Sequence, residues 1–333
     1  MENLIIFGLF LIGLIMIIKG GDLFVDAAVE IAIVTGIPPI LIGATLVSLA
    51  TTLPEFFVST IATLKGHPEM AVGNALGSTI CNIGFVLGIC SCISPIAIRR
   101  RFFSMKGFLM IASLACFYGF AIDKVILKKE GLILLSFIII YIIINIVEVN
   151  YKGSKTSTYS HKNINKKNIF FNGMKFILGG FLVVLGARLL VDNGVEIAKI
   201  FHVPEQIISL TLIALGTSLP ELVTSVTATL KGHEGISVGN IVGANFLNMT
   251  MVLGTCCMIP KNGLYLSTRD ITFLNKSLLN VPQTLVFDIP FSLLLMSILV
   301  LCGTMKKQID RKHGMLLFTI YVVYIGLLGA ISL

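Results

Sequence analysis

The stretch TTLPEFFVSTIATLKGH, residues 51–67, lies in one of the most apolar regions of the chain, and TSLPELVTSVTATLKGH repeats it at 217–233. Each copy sets a proline and a glutamate, Pro54–Glu55 and Pro220–Glu221, among residues that suit lipid. A charged carboxylate at the centre of a membrane helix costs about 2.5–3.5 kcal/mol on insertion scales, so such residues face the bundle interior and are usually functional. The match does not stop at this motif, and its extent decides the fold.

Shifted by 166 residues, LVSLATTLPEFFVSTIATLKGHPEMAVGNALGSTICNIGFVLG falls without a gap on LIALGTSLPELVTSVTATLKGHEGISVGNIVGANFLNMTMVLG. The same shift carries Asp26 onto Asp192, Glu30 onto Glu196 and Pro38 onto Pro204. Self-similarity of this length means duplication. Residues 1–148 form a first repeat (motif 43–88), 149–168 a polar cytoplasmic linker and 169–333 a second repeat (motif 209–254). Ten hydrophobic spans are expected, five per repeat. Five is odd, so the second half enters the membrane in the opposite sense. That is the inverted-repeat plan of many secondary transporters, whose substrate site lies near the midplane between repeats. The expected fold is therefore an all-α integral membrane protein of ten transmembrane helices. Spans 2, 3, 7 and 8 (near 38–64, 70–93, 204–230 and 236–258) are studded with Gly, Ser, Thr, Asn and Pro and read as broken helices at the centre.

Composition supports the class. Of the 333 residues, 56% are hydrophobic and only 13% charged, with mean hydropathy +0.96, whereas soluble domains average about 25% charged residues. The leading MENLIIFGLFLIGLIMIIKGG lacks a basic start and a small-residue cleavage site, so it reads as a retained first helix rather than a signal peptide. Seven cysteines show no metal spacing and read as apolar packing residues. The net charge of +8 does not imply nucleic acid, because it gathers in RRRFFSMK (99–106), YKGSKTSTYSHKNINKK (151–167) and MKKQIDRKHG (305–314). With ten spans and both termini outside, all three fall on the cytoplasmic side, as the positive-inside rule expects of a cell-membrane protein. Anionic lipid headgroups are then the partner of that charge. No protein partner is evident, and a monomer is expected. The linker is too short for a folded regulatory domain, and 259–288 has no equally long counterpart in the first half.

The Pro-Glu segments carry the chemistry. Proline lacks an N–H and its ring clashes with the carbonyl four residues back, so the carbonyls of Ala50 and Gly216 lose their partners and those of Thr51 and Thr217 are disturbed. Irregular backbone is tolerated at membrane depth only where it is buried in protein or lines a cavity. Each copy thus offers a carboxylate, the hydroxyls of Thr51 and Thr52 or of Thr217 and Ser218, and freed carbonyls. Two carboxylates with several neutral oxygens satisfy Ca²⁺, which takes 6–8 oxygen ligands at about 2.3–2.6 Å. The same neutral oxygens suit Na⁺. The following spans add GNALGSTICN (73–82) and GNIVGANFLN (239–248), where the glycines permit close packing and Ser78, Asn82 and Asn248 offer further oxygens.

GATLVSLATTLPE with GNALGSTICN, and LIALGTSLPE with GNIVGANFLN, resemble the paired alpha repeats of the Ca²⁺/cation antiporter superfamily, most closely its prokaryotic sodium/calcium exchangers. The resemblance covers nearly the whole chain. It implies a ten-helix exchanger with four ion sites in a diamond between spans 2, 3, 7 and 8, across which spans 1 and 6 slide. Glu55 and Glu221 would hold the central Ca²⁺ with the carbonyls of Thr51 and Thr217. Thr52, Ser218, Ser78, Asn82 and Asn248, with carbonyls near Ser48 and Ala214, match the remaining site positions, supported by Pro54 and Pro220. It implies no cofactor and no enzymatic activity, only Ca²⁺ and Na⁺ as transported ions. Two positions depart from the pattern. Asn248 stands where archaeal exchangers have aspartate, and Ala244 stands opposite Ser78 where a second hydroxyl is usual. The proton/calcium branch has GNxxE in this span, and neither Asn82 nor Asn248 supplies that glutamate.

The resulting expectation is exchange of Ca²⁺ for Na⁺ by alternating access, with Ca²⁺ leaving the cytoplasm. Coupling to H⁺ or K⁺, or carriage of another divalent cation, is the near alternative. An intramembrane hydrolase using both glutamates as acid and base and a passive channel are more distant ones; no HExxH, GxSxG or phosphate loop occurs. Asp22, Asp26, Glu30, Arg188, Asp192 and Glu196 are read as interfacial charges, with Arg188 and Asp192 spaced for an i, i+4 pair. His67 and His233 read as solvated turn residues.

Overall fold

The computed structural model describes residues 2–98, 100–153, 166–200, 216, 218–266, 268–273 and 276–332. Among the described residues, nine helical spans are long and apolar enough to cross a membrane. The tenth expected span, 204–230, is described only at Gly216 and from Ser218 onward, so Thr217, Ala214 and Pro204 lie outside the described residues. Between the helices, among the described residues, six short strands form three antiparallel two-stranded ribbons.

The first span is α1 (Glu2–Thr35), continuous past Asp22, Asp26 and Glu30. The second comprises α2 (Pro39–Ile42), a π-helical turn at Gly43–Val47 and α3 (Ser48–Leu64). The third comprises α4 (Pro68–Cys81), a π-turn at Asn82–Leu87 and α5 (Gly88–Ile93). After β1 (Ile96–Ala97) come α6 (Arg100–Ala121), β2 (Val125–Ile126), α7 (Lys128–Gly153) and α8 (Lys166–Ile200). The second repeat continues with α9 (Leu219–Leu230), α10 (Glu234–Leu247), a π-turn at Asn248–Val252 and α11 (Leu253–Met258). Then follow β3 (Leu264–Tyr265), β4 (Arg269–Phe273), β5 (Lys276–Val281), a π-turn at Thr284–Asp288, α12 (Ile289–Lys306), β6 (Gln308–Ile309) and α13 (Arg311–Ser332).

Duplication is visible in local geometry. The helices α4 and α10 begin and end 166 positions apart, and the π-turn after each opens on an asparagine, Asn82 or Asn248. The turn between α3 and α4 is closed by Gly66 at φ +85°, with His67 N donating to Ala62 O at 2.9 Å and Gly66 N to Thr63 O at 3.1 Å. Its copy uses Gly232 at φ +76°, with His233 N to Ala228 O at 2.7 Å and Gly232 N to Thr229 O at 3.0 Å. This left-handed glycine with paired back-bonds satisfies the last carbonyls of a helix, which is why LKGH recurs unchanged.

In spans 2, 3 and 8 the expected breaks take the form of π-turns within continuous helical spans. A π-turn inserts one residue per turn and often marks a functional site. Pro54 sits inside α3, whereas Pro220 lies in the first turn of α9, where a missing N–H costs nothing.

The chain divides into two compact units, and each draws on both repeats. One comprises Met1–Thr51 and Val149–Ile241, the other Thr52–Glu148 and Val242–Leu333. In the first unit α1 packs along α8. The backbone of α8 at Gly179 lies against Gly20, and Gly186 lies against Gly13 and Ile17. These are repeat mates, Gly13 with Gly179 and Gly20 with Gly186, and small residues let membrane helices approach closely. Phe24 stacks on Phe176 at 4.2 Å over a core of Val25, Ala28, Ile42, Val47 and Ile236. Lys231 pairs with Asp22 at 3.0 Å and with Asp26 at 2.9 Å. No ion pair joins Arg188 to Asp192 among the described residues, so the expected i, i+4 pair does not form.

In the second unit Gly107 of α6 meets Val300 of α12, and Gly303 meets Phe103. Lys106 and Glu148 form a buried ion pair at 2.9 Å. Two ribbons tie repeats together: β1 pairs with β6 through Ile96↔Ile309, and β2 pairs with β3 through Ile126↔Leu264. The third ribbon, β4 with β5, occupies the segment without a counterpart in the first repeat.

Candidate cation site

In the first unit the site residues descend from α3, α9 and α10. Ser48, Thr51, Ser218 and Glu221 are all buried, Glu221 completely. Residues 221, 224 and 225 share one face of α9, because positions three and four apart on a helix lie one above the other. Asn240 of α10 knits this face to α3. Its Oδ1 accepts from the Thr51 hydroxyl at 3.1 Å, and its Nδ2 donates to Thr224 Oγ1 at 3.3 Å and Ser225 Oγ at 3.2 Å. The approach is close because Gly43 lies against Ile236, and Gly239 lies against Ile40 and Ala44. A side chain at either glycine would meet backbone.

Both carboxylate oxygens of Glu221 are buried without a hydrogen-bond partner among the described residues, as is the Ser218 hydroxyl. An ionised carboxylate left this way bears a desolvation penalty that a bound cation removes. The Thr224 hydroxyl bonds back to the Pro220 carbonyl at 2.7 Å, so it does not satisfy the carboxylate.

In the second unit Glu55, Thr52, Ser78, Asn82 and Asn248 are likewise buried. The Ser78 hydroxyl donates to Glu55 Oε1 at 3.4 Å. The Asn74 amide donates to the Glu55 carbonyl at 3.4 Å and to the Ser59 hydroxyl at 2.9 Å. Asn82 Nδ2 donates to Asn245 Oδ1 at 3.2 Å. Thr52 Oγ1, Thr79 Oγ1, Asn82 Oδ1, Asn245 Nδ2 and both amide atoms of Asn248 are buried without partners among the described residues. Ala244 is fully buried with no polar atom to offer. Among the described residues no three His, Cys, Asp or Glu side chains cluster with metal-holding geometry. Each unit instead presents one carboxylate among neutral hydroxyl and amide oxygens, a donor set for hard cations such as Ca²⁺ and Na⁺.

Of the residues expected from sequence, Glu55 and Ser78 are joined directly, and Thr51 is held by a residue the motif reading passed over. Thr217 and Ala214 lie outside the described residues. Asn74, Asn240 and Asn245 were missed. The signal for two of them is the GN dipeptide at equivalent places in both copies: Asn74 bonds Ser59 as Asn240 bonds Ser225, with partners 166 positions apart. Asn245 has no such signal, since its mate is Thr79.

Comparisons with known proteins span nearly the whole chain. The model of the sodium/calcium exchanger protein family matches residues 5–147 and 174–329. The inner membrane protein YrbG of Escherichia coli is 31% identical over 332 residues, 97% of each chain. The sodium/calcium exchanger MaX1 of Methanosarcina acetivorans is 27% identical over 360 residues, covering 97% of this chain and 98% of that one. Among solved structures, the sodium-calcium exchanger NCX_Mj soaked with 10 mM Na⁺ superposes with TM-score 0.79 at 28% identity, covering 97% of this chain and 99% of the other.

Proposed function

The chain belongs to the sodium/calcium exchanger protein family, a family of multi-pass membrane antiporters, and on that premise we propose that it exports Ca²⁺ from the cytoplasm in exchange for Na⁺ by alternating access. Glu55 and Glu221 supply the two carboxylates for Ca²⁺. Thr51, Thr52, Thr217, Ser218, Ser78, Asn82 and Asn248, with the carbonyls at Ser48 and Ala214, supply the neutral oxygens. The observation that supports this reading is the fully buried carboxylate of Glu221, which has no hydrogen-bond partner among the described residues. Two negative charges balance one divalent cation, and the hydroxyl and amide oxygens that remain can take Na⁺ once Ca²⁺ has left.

Ten crossings in two inverted repeats, with both termini outside the cell membrane, complete the proposal. Strand pairing supports it by parity. The ribbon β1–β6 holds the loop after the third span beside the loop after the penultimate span. Loops on one membrane face are separated by an even number of crossings, a parity that a tenth crossing at 204–230 supplies. The β2–β3 ribbon is consistent with the same count. The basic loops at 99–106, 151–167 and 305–314 then lie together inside, against anionic lipid, and one chain carries a complete set of site residues as a monomer.

The test is Ca²⁺ uptake into proteoliposomes under imposed Na⁺, K⁺ or pH gradients, with Glu55→Gln and Glu221→Gln alongside. A Na⁺ gradient should drive uptake, and each substitution should reduce it about a hundredfold, since a charged ligand contributes about 1.5–3 kcal/mol. Uptake driven by a pH or K⁺ gradient and indifferent to Na⁺ would replace the coupling ion proposed here.

A further inference from the structure

Asn245 stands outside the ligand set, yet it is fully buried and its Oδ1 accepts the Asn82 amide proton at 3.2 Å. A side-chain amide has an oxygen end and an NH₂ end of nearly equal shape, and packing alone cannot choose between them. Only the oxygen end attracts a cation. By taking the NH₂ end, Asn245 leaves Asn82 Oδ1 available, and that atom is buried without a partner among the described residues. The neighbouring Asn248 is fully buried, and neither of its amide atoms has a partner among the described residues. Asn82 and Asn248 each open a π-turn. A buried polar atom with nothing to bind is costly, and several of them gathered at helical irregularities point to a ligand.

The repeat explains why the second copy needs this device. At 244 the chain has alanine where its mate, Ser78, carries a hydroxyl. At 245 it has asparagine where its mate is Thr79, whose hydroxyl is unpartnered. An amide therefore appears in the second repeat one residue after a hydroxyl is missing. Resting on the exchanger reading above, we propose that Asn245 is a positioning residue that fixes Asn82 with its carbonyl oxygen toward the transported cation. Asn245 makes no contact with the ion; its effect passes wholly through Asn82.

The experiment is a double-substitution cycle on the full chain in proteoliposomes, reading half-saturating Na⁺ and Ca²⁺ concentrations and maximal rate. Asn245→Ala is expected to raise the half-saturating concentration of at least one ion roughly fivefold, the worth of one buried hydrogen bond, with maximal rate within about twofold. On an Asn82→Ala background the same change should have no further effect, because interaction energy appears only between coupled residues. Asn245→Asp retains the acceptor and should bind at or below the wild-type concentration. Should Asn245→Ala fail to fold, Asn245→Thr, which installs the residue of the other repeat, takes its place. An equal shift in both backgrounds, no shift at all, or a fall confined to maximal rate overturns the proposal while wild-type exchange stands. Loss of any Na⁺-driven flux in the wild type sinks the exchanger reading and this proposal together.

Discussion

Asn240 receives the Thr51 hydroxyl on its Oδ1 at 3.1 Å while its Nδ2 reaches Thr224 and Ser225. One side chain thus joins three helices of one unit, and three hydroxyls depend on it. Asn74, its repeat mate, donates to the Ser59 hydroxyl at 2.9 Å and to the Glu55 carbonyl at 3.4 Å. Removing a buried partner costs about 1–3 kcal/mol. Asn240→Ala is therefore expected to destabilise the protein by about 2–3 kcal/mol. Thermal unfolding in detergent measures it, and a loss below about 1 kcal/mol counts against the three-helix role.

Ala244 leaves the second repeat without the hydroxyl that Ser78 gives the first. Ala244→Ser restores it for one added oxygen atom. Half-saturating Na⁺ should fall by roughly threefold to tenfold, the range of one neutral hydrogen-bond-strength ligand, with Ca²⁺ less affected. Steady-state Na⁺ titration of Ca²⁺ efflux decides it. An unchanged Na⁺ curve means that position 244 does not face the ion.

Gly239 sits where α10 crosses the second span. A Cβ there would collide with the Ile40 carbonyl. Gly239→Ala should cost about 1–3 kcal/mol through overpacking. The unfolding midpoint of this variant should fall, and an unchanged midpoint counts against so close an approach.

Lys231 is held by two carboxylates at the turn after α9. Partial burial lowers its pKa, and hydrogen bonds and charge from Asp26 and Asp22 more than offset this, so the ammonium is held above its ordinary value. A raised folded-state pKa gives stability that is full below the unfolded value, about 10.4, and lost as pH rises through the folded one. These side chains are partly exposed, so Lys231→Gln should cost no more than about 1 kcal/mol at pH 7. The penalty should shrink in 1 M salt and vanish in strongly alkaline solution. Urea unfolding across pH and salt tests all three statements.

The membrane class, the duplication and both glutamates could be read from residue order because each rests on local chemistry. An apolar run is apolar wherever it packs, and a carboxylate in such a run needs a cation or a partner. The LKGH turns were equally open to reading, since a left-handed glycine closes a helix without help from elsewhere. Asn245 was not, because its role depends on Asn82, which lies 163 positions away and meets it only through tertiary packing. The same holds for Lys231, whose carboxylates come from α1 while the expected Arg188–Asp192 pair does not form. The interleaving of repeats in each unit was hidden for another reason. Self-comparison finds equivalent segments and says nothing about which segments touch.

The ribbons have an ancestral consequence. The β6 strand occupies in the second repeat the place that β2 occupies in the first, and β3 the place of β1, so each ribbon joins non-equivalent strands. A single-repeat precursor would already have carried both complementary edges. Two such copies related by a two-fold axis would close both ribbons by the same contact made twice. Gene fusion then had only to supply a tether, and separately expressed half-proteins should still find one another.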